Sequence, residues 1–121
     1  MNRKLCFLIG LLATGSLHSE EPVFGEAYQA WREDRLAWGK EVYGNYCAAC
    51  HEPGASQAPA IRDRNAWSTR SPLWSAVLFE HAKSGYLEMP ARGDHPELSD
   101  VAVDAAAEYM LSETYPELPL D

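Results

Sequence analysis

The chain has 121 residues, with 18 acidic side chains against 10 basic ones and a formal net charge of −8. This length fits one small domain and not two, and the acidic excess argues against nucleic acid and anionic membrane surfaces as partners. Three cysteines, two of them separated by only two residues, do not make a disulfide framework.

Residues 1–19 read as a secretory signal peptide. Arg3 and Lys4 form a basic start, an apolar run over 5–12 contains Cys6 and Gly10, and Ala13, Gly15, Ser16 and Ser19 supply small residues near possible cleavage points. The run is shorter than the about 20 apolar residues that cross a bilayer, which disfavours a transmembrane anchor. Cys6 lies inside the run and not at its end, so it is expected to leave with the peptide. Cleavage after Ser19 removes Arg3 and Lys4 but no acidic residue, and takes the net charge from −8 to −10. Such a charge suits a protein that meets basic patches on others, or serves solubility alone.

A helix is predicted over 25–46. Tyr28, Trp31, Arg35, Trp38 and Val42 recur at spacings of three and four and form one stripe, expected to face the core. Residues 52–64, with Pro53, Gly54 and Pro59, read as a loop. A second helix has Ser71 as N-cap, Pro72 at its first position and Gly85 at its C-terminal cap, with Trp74, Val77, Leu78, His81 and Ala82 on one face. Residues 85–97 form a loop. The last helix opens at Ser99, with Asp100 favouring the helix dipole and Leu98 and Val103 placed as a hydrophobic staple. It is expected to reach about Leu111, with a loose Pro-rich end from Tyr115. The absence of strand-like alternation makes the fold all-α.

Cys47-Ala48-Ala49-Cys50-His51 carries the chemistry. Two thiols at this spacing can add to the two vinyl groups of one haem, and the adjacent His51 is then placed beneath the iron as an axial ligand. A thioredoxin-like dithiol would need a βαβ setting, and a zinc site a second pair of ligands; neither is visible. A carrier haem takes a second axial ligand, and a methionine on a loop is the common choice. Met89, followed by Pro90 in the 85–97 loop, is the candidate. Met110 falls in the last helix and reads as core, while His81 and His95 stand as alternative ligands.

These residues resemble the class I c-type cytochromes, and most closely the short bacterial cytochrome c₅ group. The resemblance runs over about 36–112. It rests on Gly39 and Tyr43 ahead of Cys47, Ala58-Pro59-Ala60-Ile61-Arg62-Asp63, Trp67 with Arg70, the stretch from His81 to Tyr86, Met89-Pro90, and Glu108-Tyr109-Met110-Leu111. It implies a class I cytochrome c fold with three to five helices around one covalently attached haem, the first and last helices crossing near Gly39 and Tyr109. It implies that the Pro59 carbonyl accepts a hydrogen bond from His51, that Trp67 packs on the haem or donates to a propionate, and that Arg70 sits near the propionates. Members of that group often carry a further cysteine pair before the last helix; here residues 94–99 contain none, which implies a less constrained loop.

The expected organisation is a signal peptide (1–19), a helical N-terminal extension (20–35), a cytochrome domain (36–112) and a tail (113–121). The expected function is a periplasmic monohaem carrier, not an enzyme, shuttling single electrons between redox proteins with His51 and Met89 on the iron. A haem subunit docked to a larger oxidoreductase or oxidase is the alternative, and a peroxidase or gas-binding haem protein a more distant one.

Overall fold

The computed structural model describes residues 23–70 and 75–118. The expected signal peptide and Ser71, Pro72 and Trp74 at the start of the second helix lie outside the described residues. Five α-helical segments occur in order: α1 (Val23–Val42), α2 (Ala48–His51), α3 (Arg64–Trp67), α4 (Ser75–Ser84) and α5 (Asp100–Thr114). Short 3₁₀ turns occupy Ala55–Gln57 and Ala91–Asp94, and the described residues contain no strand beyond an isolated bridge between Tyr86 and Met89. The all-α expectation holds.

The predicted helix over 25–46 is longer and less regular than its pattern suggested. A π-helical turn over Tyr43–Cys47 joins α1 to α2, with the Ala48 N–H bonded to the Tyr43 carbonyl. Such a turn acts as one inserted residue, rotating the helix beyond it by roughly 100° about the axis. The Cys47–His51 stretch is thereby aimed differently from the face of α1 that packs on α5.

That packing face is Gly39, Val42 and Tyr43, all buried. A Cβ at Gly39 would lie 2.1 Å from the Ala105 carbonyl oxygen and 3.1 Å from Tyr109 Cβ, so only glycine lets the two helices cross this closely. The Tyr43 and Tyr109 rings meet at 5.5 Å between centroids. Arg35 pairs with Glu108 across the same crossing. On the α5 side, Ala102, Ala105 and Ala106 are buried, and their small side chains allow the approach. Met110 is buried beside them, in the core position its spacing indicated.

The aromatic stripe does not face the core. Tyr28, Trp31 and Trp38 are 52%, 54% and 40% exposed. The stripe is displaced around the helix from the Gly39–Val42–Tyr43 face, and residues 25–31 are exposed on every side. Of the predicted stripe, Val42 is buried and Arg35 half-buried, so the helix packs along one edge of the face its periodicity identified.

The punctuation of the later helices matches the sequence. Gly85 adopts φ +86°, and its N–H closes α4 on the His81 carbonyl at 2.8 Å. Ser99 Oγ accepts the Ala102 N–H at 3.2 Å as the cap of α5. Val77, expected on the inner face of α4, is 43% exposed, whereas Leu78 packs against the core. The region from Tyr115 is not loose as far as Leu118. Tyr115 is buried, Leu118 packs on the core, Arg64 bonds Glu117 at 2.5 Å, and its guanidinium lies over the Tyr115 ring. Pro116 ends the helix without ending the packing.

Candidate functional site

Cys47, Cys50 and His51 stand at i, i+3 and i+4 of one helical run, a spacing that sets side chains on a common face. Cys47 is half-buried and Cys50 exposed, and both thiols are free. Burial, reinforced by Cys50, pushes the Cys47 thiol up to about 11. At neutral pH it stays a thiol, which slows its pairing with Cys50.

His51 is buried, and its Nδ1 lies 2.9 Å from the Pro59 carbonyl oxygen. The carbonyl can only accept, so Nδ1 carries the proton and the lone pair is left on Nε2. Burial holds the imidazole below its ordinary pKa; the Pro59 bond opposes that shift and the Arg70 charge adds to it. The product is a neutral imidazole of fixed tautomer, the form that ligates a metal.

The loop after His51 is fastened to it at two points. Besides the Pro59 bond, the Ile61 N–H donates to the His51 carbonyl at 2.7 Å. Asp63 then caps α3, accepting the Asn65 and Ala66 N–H groups at 3.0 and 3.2 Å. That helix begins inside the stretch read as a loop; an aspartate just before its first residue was the available signal. Trp67, carried by α3, stacks on the His51 ring with centroids 6.4 Å apart and planes 20° from parallel. Its indole N–H donates to the Ala60 carbonyl at 2.8 Å. That backbone bond holds the loop around the His51 ring. Arg70 donates to the Ala66 carbonyl at 2.5 Å and reaches the Gln57 carbonyl at 3.5 Å.

Sequence reasoning missed the polar group behind the histidine. The Tyr43 hydroxyl donates to Glu52 at 2.5 Å, and burial and the Glu52 carboxylate raise its pKa. Arg62 lies 3.6 Å from Glu52 and bonds Glu113 at 2.7 Å. The only sequence hint was that Glu52 directly follows His51.

Met89 belongs to a separate, tightly tied turn. Tyr86 and Met89 exchange backbone bonds of 3.0 and 2.9 Å, and His81 stacks flat on Tyr86 at 3.9 Å. A Cβ at Gly85 would meet Ala91 N at 2.9 Å and the Met89 carbonyl at 3.1 Å. Met89 itself is half-buried, and Leu87 before it, at φ +51°, is 82% exposed. His95, the other alternative ligand, meets Tyr46 edge-on at 5.0 Å and Glu97 at 3.2 Å. Tyr46 immediately precedes Cys47, so the Met89-bearing loop returns to the helical run of the cysteines. Arg92 ties this loop down by donating to the Leu98 carbonyl at 2.8 Å and pairing with Asp100, which supplies part of the constraint that a cysteine pair would give.

The structure thus groups Cys47, Cys50, His51, Pro59, Trp67 and Arg70, and brings the Met89 loop back beside them through Tyr46. Among the described residues no group of three or more His, Cys, Asp or Glu side chains is gathered as a metal cluster, so the cysteines lack the partners of a zinc site. Two free thiols and a neutral, anchored imidazole on one helical face fit a haem held by two thioethers.

Comparison with known proteins leads to c-type cytochromes as well. Residues 34–110 match the family model described as "Cytochrome C oxidase, cbb3-type, subunit III". The chain is 37% identical over 86 residues to cytochrome c-555 of Prosthecochloris aestuarii, covering 64% of this chain and 87% of that protein. It is 36% identical over 70 residues to cytochrome c5 of Azotobacter vinelandii, covering 56% and 84%. A solved structure titled "Crystal structure of electron transfer complex of nitrite reductase with cytochrome c" contains a chain similar in fold, with a TM-score of 0.58 and 27% identity, over 64% of this chain and 94% of that one.

Proposed function

Because this chain belongs to the class I c-type cytochromes, with one haem c covalently bound through Cys47 and Cys50, we propose that it is a periplasmic single-electron carrier whose iron is ligated by His51 and Met89. It is an electron carrier and not an enzyme. The observation that carries the reading is the His51 geometry: Nδ1 is engaged by Pro59, Nε2 has no hydrogen-bond partner among the described residues, and two thiols stand at i and i+3 of the same helical run.

The haem supplies a one-electron ferric/ferrous couple. The chain's own residues fix how that couple is held. Cys47 and Cys50 would provide the two thioethers. The Pro59 carbonyl, acting on His51 Nδ1, orients the ring and raises the basicity of Nε2. Trp67 and Arg70 hold the 57–67 loop around the ring, Trp67 by stacking and its bond to Ala60, Arg70 by its bonds to Ala66 and Gln57. Met89 would complete the coordination from its braced turn, and a thioether ligand raises the reduction potential and closes the position a substrate would need.

Residues 1–19 are assigned to export, 20–35 to an N-terminal extension, 36–112 to the cytochrome domain and 113–121 to a tail. The periplasmic assignment rests on the signal-peptide layout. Among the described residues no helix is long and apolar enough to cross a membrane. The partners would be redox proteins with basic docking patches, matching the charge of −8. A cytochrome found in complex with a nitrite reductase favours a second reading, a haem subunit docked to a larger oxidoreductase.

Optical spectra of the holoprotein, oxidised and reduced, test the assignment. The expected result is a low-spin haem c spectrum with the weak far-red sulfur-to-iron band in the oxidised form and no carbon monoxide binding in the reduced form at neutral pH. A high-spin or carbon monoxide-binding haem would overturn the Met89 ligation.

A further inference from the structure

The N-terminal half of α1 is a helix with little behind it. Residues 25–31 are exposed on every side, and Arg35 is the first residue to pair with α5. A helical stretch this short is marginal in water without tertiary support. It nevertheless presents Tyr28, Trp31 and Trp38, each 40% or more exposed, along one face. Contiguous exposed aromatic surface of this kind marks an interaction site.

The stripe is also pre-set. The Tyr28 and Trp31 rings lie 5.9 Å apart, the Arg35 guanidinium sits 5.6 Å over Trp31, and Arg35 is anchored on Glu108 of α5. Its open flank is acidic. Asp34 lies three residues after Trp31 and four before Trp38, Glu41 lies three after Trp38, and both are exposed. A second copy packed antiparallel about the midpoint of Asp34 and Glu41 would set Asp34 of each copy against Glu41 of the other, on top of the repulsion between chains of net charge −8. An anionic bilayer is disfavoured by the same charges. An apolar groove edged with lysine or arginine satisfies both the stripe and its flank.

We propose that residues 25–41 form a docking ridge that seats in an apolar, basic-rimmed groove on the redox protein with which this cytochrome exchanges electrons. The proposal rests on the carrier reading and adds the contact surface and the chemistry of its partner. Trp38 lies nine residues before Cys47 on one continuous helical run, roughly 14 Å at 1.5 Å per residue. Seating the ridge therefore fixes the haem-bearing end of that run relative to the partner.

The test measures electron exchange between holo-cytochrome and a membrane-containing extract of its source cells, as a function of cytochrome concentration. Trp31→Ala combined with Trp38→Ala should raise the half-saturating concentration about tenfold or more, with haem content and spectra as in the wild type. Asp34→Lys with Glu41→Lys should raise it too. Val101→Ala, which removes an equally exposed apolar side chain from α5, should leave it unchanged. An unchanged value in the double tryptophan variant, or an equal rise in Val101→Ala, overturns the ridge. So does tryptophan-dependent flotation of the wild type with phosphatidylethanolamine–phosphatidylglycerol vesicles, or a tryptophan-dependent dimer in size-exclusion chromatography. Failure of the wild type to exchange electrons at any concentration overturns the carrier reading, and the ridge with it.

Discussion

His51 meets two requirements that could conflict. It must be buried to hold an iron in a dry setting, and burial alone would leave its ring free to adopt either tautomer. The Pro59 carbonyl settles the tautomer. Covalent attachment is checked by mass: the intact holoprotein should show polypeptide plus one haem under denaturing mass spectrometry, and Cys47→Ser with Cys50→Ser should show polypeptide alone. Met89→Ala should lose the far-red sulfur band and bind carbon monoxide when reduced, whereas Met110→Ala, a truncation in the core, should keep the band and lose about 2–5 kcal/mol of stability by denaturant titration. The Tyr43 and Tyr109 phenols are both raised above their ordinary 10.0, burial being the first cause in each. The unfolded chain therefore ionises them first, so their contribution to stability is intact below pH 10 and is lost as pH rises above it. The melting temperature should fall as pH rises above 10, and less steeply in Tyr43→Phe. The motif residues were legible because covalent chemistry fixes their spacing. Trp67's bond to Ala60 was not, because a backbone acceptor leaves no mark in residue identity.

At the scale of elements, the α1–α5 crossing depends on a missing side chain. Gly39→Ala places a methyl group against the Ala105 carbonyl, backbone that cannot move aside cheaply, and should cost about 1–3 kcal/mol or more in denaturant titration. Ser99→Ala removes the cap on the Ala102 N–H and should cost about 0.5–2 kcal/mol. Caps could be read from the chain because each involves a residue type that only a few positions favour, and the glycine crossing followed from the resemblance to class I cytochromes. The exposure of the aromatic stripe on α1 could not. Tyr28, Trp31 and Trp38 form the most apolar stripe on the helix, yet Gly39, which contributes nothing to such a stripe, decides the packed face. The π-helical turn at Tyr43–Cys47 was equally hidden, since no residue pattern separates an i+5 bond from an i+4 bond over five positions.

At the scale of the whole molecule, the acidic excess gives a measurable expectation. Exchange with a basic partner should slow as salt rises, because the screening length shortens to about 8 Å near physiological ionic strength; a flat profile would show that contact is apolar and the acidity serves solubility. The crossing of the outermost helices has another consequence, for the order of events during synthesis. Arg35 and Glu108 are 73 residues apart in sequence, and the core of the domain forms between the two helices that carry them. Contacts of such long range cannot form until α5 has been made, so the α1–α5 core cannot assemble before then. Throughout that interval Cys47 and Cys50 remain on an open polypeptide. The crossing that fixes α1 therefore leaves Cys47 and Cys50 on an unfixed segment until α5 is present, and Cys50 stays exposed after it.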